Sequence, residues 1–156
     1  MSRNSEMGIH FYMVECDSKG KVVGEERDLE ASFDGMVYLK AQGLNKVGKP
    51  RVYTEKFADS DRLRVYKSEN TPREATTVTF SFLFAGEDRY KTYHSFVDYI
   101  SKGFKRYYDT ARKKYLYFFL NEEVKPAEEI MYGGSPYLTV DVQVQNIFGQ
   151  TFDEPI

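Results

Sequence analysis

Histidine and cysteine, the side chains that most often act as bases, nucleophiles or metal ligands near neutral pH, are scarce in this sequence. The 156 residues include two histidines, His10 and His94, and one cysteine, Cys16. Neither histidine lies in an HExxH pattern and no CxxC pair is present, so a zinc site would have to recruit carboxylates. Cys16 has no base beside it in the sequence. These residues predict no catalytic, cofactor or metal site.

Carboxylates and glycines do not form a catalytic pattern either. Acidic pairs occur at Glu25–Glu26, Glu122–Glu123 and Glu128–Glu129. Adjacent side chains point in different directions on a strand or helix, so such pairs are typical of solvated loops. The glycines of AGED and MYGGSP lack the following Lys-Ser or Lys-Thr of a phosphate-binding loop. The sequence therefore predicts a protein that is not an enzyme and has no small-molecule substrate.

One segment, residues 102–115, mixes cations with aromatic rings and allows two interpretations. It contains Lys102, Phe104, Lys105, Arg106, Tyr107, Tyr108, Arg112, Lys113, Lys114 and Tyr115. Such a mixture could hold a single strand of nucleic acid by charge and stacking. Alternatively it is a charged hairpin whose rings pack on a sheet, and opposite charges on separate segments also suit a subunit interface. The net charge of −2 and the acidic stretch that follows favour the hairpin.

The composition indicates one β-rich domain. A chain of 156 residues has the usual size of a single domain. A lone thiol excludes an internal disulfide and suits a reducing compartment. No run approaches the ~20 apolar residues that a membrane helix needs, and the first residues lack a secretory pattern, so no membrane anchor is predicted. The 13 Tyr and 12 Phe favour strands, and tyrosine is also common at protein interfaces.

Alternating apolar and polar residues predict most of the secondary structure as strands. In ATTVTFSFLFAG the apolar face consists of Val78, Phe80, Phe82 and Phe84. In YLTVDVQVQNIFG it consists of Leu138, Val140, Val142 and Val144. GIHFYMVE and MVYLKAQGL are further strand candidates, and KRYYDTARKKYLYFFL is predicted to be a hairpin. One apolar and one polar face are typical of half-buried antiparallel strands.

A single helix interrupts the strands. Tyr93, Phe96, Val97 and Ile100 recur at helical spacing, which predicts an amphipathic helix over residues 88–102. Gly103 lies where a helix commonly ends. The order of elements predicts a mainly β fold with one α-helix, an antiparallel β-sandwich or barrel on which the helix packs. The whole chain, 1–156, is expected to be one domain.

Three segments are predicted to be less regular. Residues 42–72 contain Gly43, Gly48 and Pro50 and two charged strand-like runs, RVYTEKF and RLRVYKS, which predicts a protruding loop or hairpin. The run EEVKPAEEIMYGGSP is expected to be a loop with at most a short helical turn. The final residues, TFDEPI, are expected to be a loose tail.

The block from Thr76 to Phe152 resembles tail proteins of long-tailed bacteriophages, in particular the tail-tube and distal-tail family. The resemblance covers about half the chain and rests on four runs in order. These are TTVTFSFLFAG, the helical DRYKTYHSFVDYISKG, RYYDTARKKYLYFFL and SPYLTVDVQVQNIFGQTF. None of them is a catalytic signature. The motifs do not distinguish a tube subunit from a distal-tail, terminator or baseplate subunit.

The resemblance implies a virion structural protein that assembles with copies of itself, in a hexameric ring, and with other tail proteins. DNA would pass through the ring only as cargo, and the protein would be made in the host cytoplasm before joining the tail. Residues 42–72 would be the arm that clasps a neighbouring subunit. The subunit contacts predicted on this basis are Tyr53, Phe57, Leu63, Val65, Tyr66, Tyr107, Tyr108 and Tyr117. The alternative function is a nucleic-acid-binding β-barrel that uses residues 102–115.

Overall fold

The structure is a computed structural model that describes residues 4–50, 53–56, 63–66 and 73–156. Within these residues the chain begins with a 3₁₀ turn, Asn4–Met7. The strands are β1 (Phe11–Cys16), β2 (Arg27–Asp28), β3 (Met36–Gln42), β4 (Tyr53–Lys56), β5 (Leu63–Tyr66), β6 (Thr76–Ala85), β7 (Phe104–Asp109), β8 (Tyr115–Phe119), β9 (Lys125–Tyr132) and β10 (Ser135–Asn146). The helices are α1 (Leu29–Ser32) and α2 (Arg89–Ser101). The predicted class, mainly β with one substantial helix, is confirmed.

Eight strands form one antiparallel sheet around β10. Along one edge β10 pairs with β6, from Tyr137 opposite Ala85 to Asn146 opposite Thr76. Along its other edge β10 pairs first with β9 and then, at Gln145 and Asn146, with β8. The sheet continues from β8 through β7 and β1 to β2, and beyond β6 it ends at β3. The two halves of the sheet are therefore joined through β10.

The sheet curls until its two end regions meet. The ring of Phe11 in β1 stacks on the ring of Tyr38 in β3, with centroids 3.9 Å apart. Glu30 of α1 is almost fully buried, and its carboxylate accepts hydrogen bonds from the Tyr38 backbone N–H at 2.9 Å and the Asn4 side-chain amide at 2.8 Å. A buried carboxylate is stable only with such donors. Glu30 therefore joins the two ends of the curled sheet.

The core fills the inside of this curled sheet. The inward residues predicted for β6 and β10 are confirmed, since each is at most 1% exposed. They are Val78, Phe80, Phe82, Phe84, Leu138, Val140, Val142 and Val144. The predicted helix is also confirmed as α2, whose Phe96 ring lies 4.9 Å from Phe82 and 5.4 Å from Phe33. The chain turns away after α2 at Gly103, where φ is +58°.

The segment 122–136 was predicted to be a loop, and this is wrong. Residues 125–132 form β9, which pairs with β10 across the two-residue turn Gly133–Gly134. Both glycines have positive φ, 60° and 81°, as a type I′ hairpin turn requires. The charges and Pro126 of this run are typical of an edge strand.

The prediction of a loose C-terminal tail is also wrong. Phe152 and Tyr115 exchange backbone hydrogen bonds of 2.7 and 2.9 Å, which adds the tail to the edge of the β7–β8 hairpin. The rings of Phe148 and Phe152 pack edge-on against Tyr117, and the Ile156 backbone N–H donates to the Tyr117 hydroxyl. The tail therefore covers the outer side of β8.

Candidate assembly surface

The predicted arm contains a hairpin that forms a sheet of its own. β4 and β5 pair antiparallel, with Tyr53 opposite Tyr66 and Lys56 opposite Leu63. Among the strands that the structure describes, these two pair with each other and not with the eight-stranded sheet. The predicted strand-like runs are thus confirmed. Phe57 lies outside the described residues, and the roles of the Tyr53, Leu63, Val65 and Tyr66 side chains as subunit contacts stay predictions.

The root of the arm is fastened to the body of the protein. Leu44 is 4% exposed and belongs to the core. The Gly48 N–H donates to the Gly149 carbonyl at 2.7 Å, and the Arg73 guanidinium donates to the Gly48 carbonyl at 3.1 Å. The predicted boundary at residue 42 is therefore too early, because residues 42–50 pack on their own subunit. The name "arm" refers from here on to residues 51–72.

Two glycines allow three backbone segments to meet at this root. A Cβ on Gly149 would lie 2.2 Å from the Glu74 carbonyl oxygen, and one on Gly48 would lie 1.9 Å from it. Gly149 also has a φ of +66°, which side chains rarely adopt. Gly133 has a similar φ of +60° but open space around it. A comparison of Gly149 with Gly133 therefore separates the effect of crowding from that of backbone strain.

We expect Gly149→Ala to lower the free energy of unfolding by about 3 kcal/mol. The alanine would be strained in the left-handed backbone conformation and would also displace the Glu74 carbonyl. Gly133→Ala, the matched control, should cost only about 1 kcal/mol because it adds the strain alone. Urea denaturation of both variants measures the difference. Equal losses at the two sites would show that the root is not tightly packed.

The β7–β8 hairpin was predicted to supply subunit contacts, and two of its three residues cannot do so. Tyr107 and Tyr117 are 0% exposed within their own subunit, so those two predictions are wrong. Tyr117 is covered by the C-terminal tail, whose Ile156 N–H it accepts at 2.8 Å. Tyr108 is half-buried, with its ring stacked on Tyr115 at 4.6 Å. Tyr108 alone of the three stays a candidate contact.

A buried polar cluster holds the turn of this hairpin. Asp109 is 0% exposed and accepts hydrogen bonds from the Tyr107 hydroxyl at 2.7 Å and the Arg112 guanidinium at 3.2 Å. The same carboxylate accepts the Arg112 backbone N–H. Burial raises the pKa of Tyr107 well above its ordinary value, so its hydroxyl stays protonated and donates. The cluster is internally satisfied, which suits a structural role.

Three of the six cations of segment 102–115 are paired with carboxylates of the described residues. The carboxylate partners are Glu26 for Arg106 at 3.0 Å, Asp109 for Arg112 at 3.2 Å and Asp153 for Lys114. Tyr107 is buried, and Tyr108 and Tyr115 stack on each other rather than presenting open faces. Paired charges and covered rings weaken the attraction for phosphates and bases. The geometry therefore favours the charged-hairpin interpretation of this segment.

Lys105 adds no charge to the exposed surface of segment 102–115, because it is 0% exposed. Its ammonium group donates to the Lys102 carbonyl and lies 4.8 Å from the centroid of the Tyr99 ring. Burial lowers the pKa of Lys105 and raises that of Tyr99 to about 12. The lysine therefore belongs to the packing between α2 and β7.

The two histidines lie in different parts of the described structure, His10 just before β1 and His94 in α2. His10 contacts the Asp28 carboxylate at 2.8 Å and so ties β1 to β2. His94 is exposed on α2. Over the described ranges, no three His, Cys, Asp or Glu side chains lie close enough together to hold a metal ion. Neither described helix is long and apolar enough to cross a membrane.

Cys16 is buried, and burial together with the charge of Asp17 raises its pKa from 9.0 to about 11. The folded state thus favours the neutral thiol, and the resulting stability is present below pH 9 and lost as pH rises through about 11. We expect the unfolding free energy of the native chain to fall more steeply than that of Cys16→Ala over this window. Urea denaturation at several pH values tests this, and parallel curves would contradict it.

No protein-family model matches the chain, and no curated protein is significantly similar to it in sequence.

Proposed function

We propose that this chain is a structural subunit of a bacteriophage tail, which acts by assembling with copies of itself into rings or a tube. The observation that carries the proposal is the β4–β5 hairpin, which forms a two-stranded sheet apart from the main one. An isolated two-stranded hairpin is at best marginally stable in water. A chain that builds one therefore benefits from a surface on another molecule against which the hairpin can pack.

The remainder of the chain has the form of a scaffold for such contacts. The eight-stranded sheet and α2 enclose a core of their own. The hydrogen bonds at the root hold the two ends of the arm side by side. Two contacts join the chain segments that lead into and out of the arm. Pro50 and Arg73 form a β-bridge, and the Glu74 N–H donates to the Lys49 carbonyl at 2.7 Å. Because these contacts fix the root, they restrict the directions that the arm can take. This restriction lowers the conformational entropy that is lost when the arm binds a partner.

In the proposed assembly, six copies form a ring, other tail proteins complete the tail, and DNA passes through the opening as cargo. The protein is made in the host cytoplasm and resides in the virion tail. Its place is that of a tail-tube, distal-tail or terminator ring subunit. The mainly β fold with one packed helix and the order of its elements from β6 to β10 support this proposal.

Negative-stain electron microscopy of the purified chain tests the proposal. We expect rings or tubes with a central opening. Dispersed particles of 18.2 kDa at all concentrations would contradict it. If such particles also retained oligonucleotides on a filter at low salt, and lost them steeply as salt rises, the nucleic-acid-binding alternative would replace it.

A further inference from the structure

Two buried polar residues, Thr76 and Asn146, form the last rung of the β6–β10 ladder. Thr76 is 6% exposed and Asn146 is 0% exposed. The Thr76 hydroxyl oxygen and the Asn146 side-chain oxygen are sealed from solvent, and neither has a hydrogen-bond partner among the described residues. Buried polar atoms in folded proteins nearly always have a partner, which is either another protein atom or an ordered water. The two oxygens therefore call for a partner from outside the chain.

The two side chains lie on the same face of the sheet. Thr76, at the start of β6, is directly opposite Asn146, at the end of β10. Side chains that are directly opposite in an antiparallel ladder share one face, with Cβ atoms about 4.5–5.5 Å apart. This face is the inner one, because it also carries Val78 and Val144, which are opposite each other and buried. The two oxygens without partners therefore lie together at one end of the apolar core.

The rung of Thr76 and Asn146 differs from other polar rungs of the same ladder. Two of those are joined by direct side-chain hydrogen bonds of 2.6 and 3.2 Å, namely Ser81 with Asp141 and Thr77 with Gln145. The Asn146 amide nitrogen instead donates to the Gln150 carbonyl at 3.2 Å. This bond fixes the orientation of the amide, so its oxygen is the atom that is left to accept a hydrogen bond.

We propose that this end of the core binds one ordered water molecule, which bridges the Thr76 hydroxyl and the Asn146 side-chain oxygen. The water donates one hydrogen to the asparagine oxygen and shares a second hydrogen bond with the hydroxyl, which can donate or accept. Both buried oxygens then have a partner. The site lies within one chain, so it goes beyond the proposed function and does not depend on assembly.

The water site lies at the root of the arm. The Asn146 backbone carbonyl accepts the Gly149 N–H at 3.3 Å. The methyl carbon of Thr76 would lie 3.3 Å from a Cβ added to Gly48. A bridging water therefore joins the segment that leads out of the arm to the segment that carries Gly149. In this way it helps to fasten the root to the body of the protein.

A high-resolution crystal structure of the native chain tests the site. We expect electron density for a water at hydrogen-bonding distance, about 2.5–3.2 Å, from both oxygens. Thr76→Val, which replaces the hydroxyl with a methyl group, should lose this density, because the water would keep only one side-chain partner. The matched control is Thr77→Val on the next rung, whose hydroxyl bonds directly to Gln145, and this variant should keep the water.

Two results in the native structure would overturn the proposal. One is a Thr76 hydroxyl that donates directly to the Asn146 oxygen, and the other is an absence of density that contacts both oxygens. Density that persists unchanged in Thr76→Val would also overturn it, because the hydroxyl would then not hold the water. If Thr76→Val fails to fold, the native structure still decides, since it either contains the bridging water or lacks it.

Discussion

Replacing residues 51–72 with a short Gly-Ser linker should leave a folded chain that no longer assembles. The deletion spares the root, where Gly48, Arg73 and Gly149 contact one another within the body. Stable obligate interfaces commonly bury more than about 2,000 Å², so removing a whole docking element should weaken association at least about a hundredfold. Size-exclusion chromatography with light scattering measures the change in mass.

The matched control inserts the same linker between Ser18 and Lys19, an exposed turn far along the chain from the arm. This insertion should assemble like the native chain. An arm-deleted chain that keeps the native assembled mass would show that the arm is not the docking element. Thermal unfolding should differ little between the two variants, because the core of the described residues draws on segments outside the deletion.

Asp109→Ala should destabilise the folded chain by about 3 kcal/mol, since it leaves buried donors without an acceptor. The donors are the Tyr107 hydroxyl and the guanidinium and backbone N–H of Arg112. Asp153→Ala is the matched control, because Asp153 pairs with Lys114 of the same hairpin but is exposed. Exposed ion pairs contribute about 0–1 kcal/mol, so the control should lose far less.

Urea denaturation of the two aspartate variants gives both free energies. Equal and small losses would mean that the carboxylate of Asp109 is not the anchor of the β7–β8 turn. A large loss for Asp109→Ala alone would also support the role of the Tyr107 hydroxyl in the fold of its own subunit rather than in a contact with a neighbour.

The core could be predicted from the sequence because its signals are local and repeated. Four inward residues on β6 and four on β10 alternate without interruption, and they prove fully buried. In α2 the residues Tyr93, Phe96 and Ile100 follow the helical repeat and are buried as predicted. In these elements the residue spacing alone decides which face is apolar.

Contacts between distant segments could not be predicted in the same way. Tyr117 is of a residue type that interfaces favour, but Phe148, just after β10, and Phe152 of the C-terminal tail cover it. Tyr107 is hidden by the curl of the sheet, which brings Tyr38 of β3 against it. Periodicity within one strand contains no information on which segment covers its second face.

One feature had a signal in the sequence that the predictions did not use. The pair Gly133–Gly134, between two strand-length runs, is a common hairpin turn and indicates β9. Gly48 and Gly149 gave no comparable signal, because their role depends on a close approach of chain segments about a hundred residues apart.

The mass of the purified chain in solution, measured by light scattering over a wide range of concentrations, tests self-assembly most directly. If the β4–β5 hairpin packs on a second molecule as proposed, the mass should be a multiple of 18.2 kDa, with six copies as the expected number. A mass that stays at 18.2 kDa up to the highest concentration would contradict self-assembly.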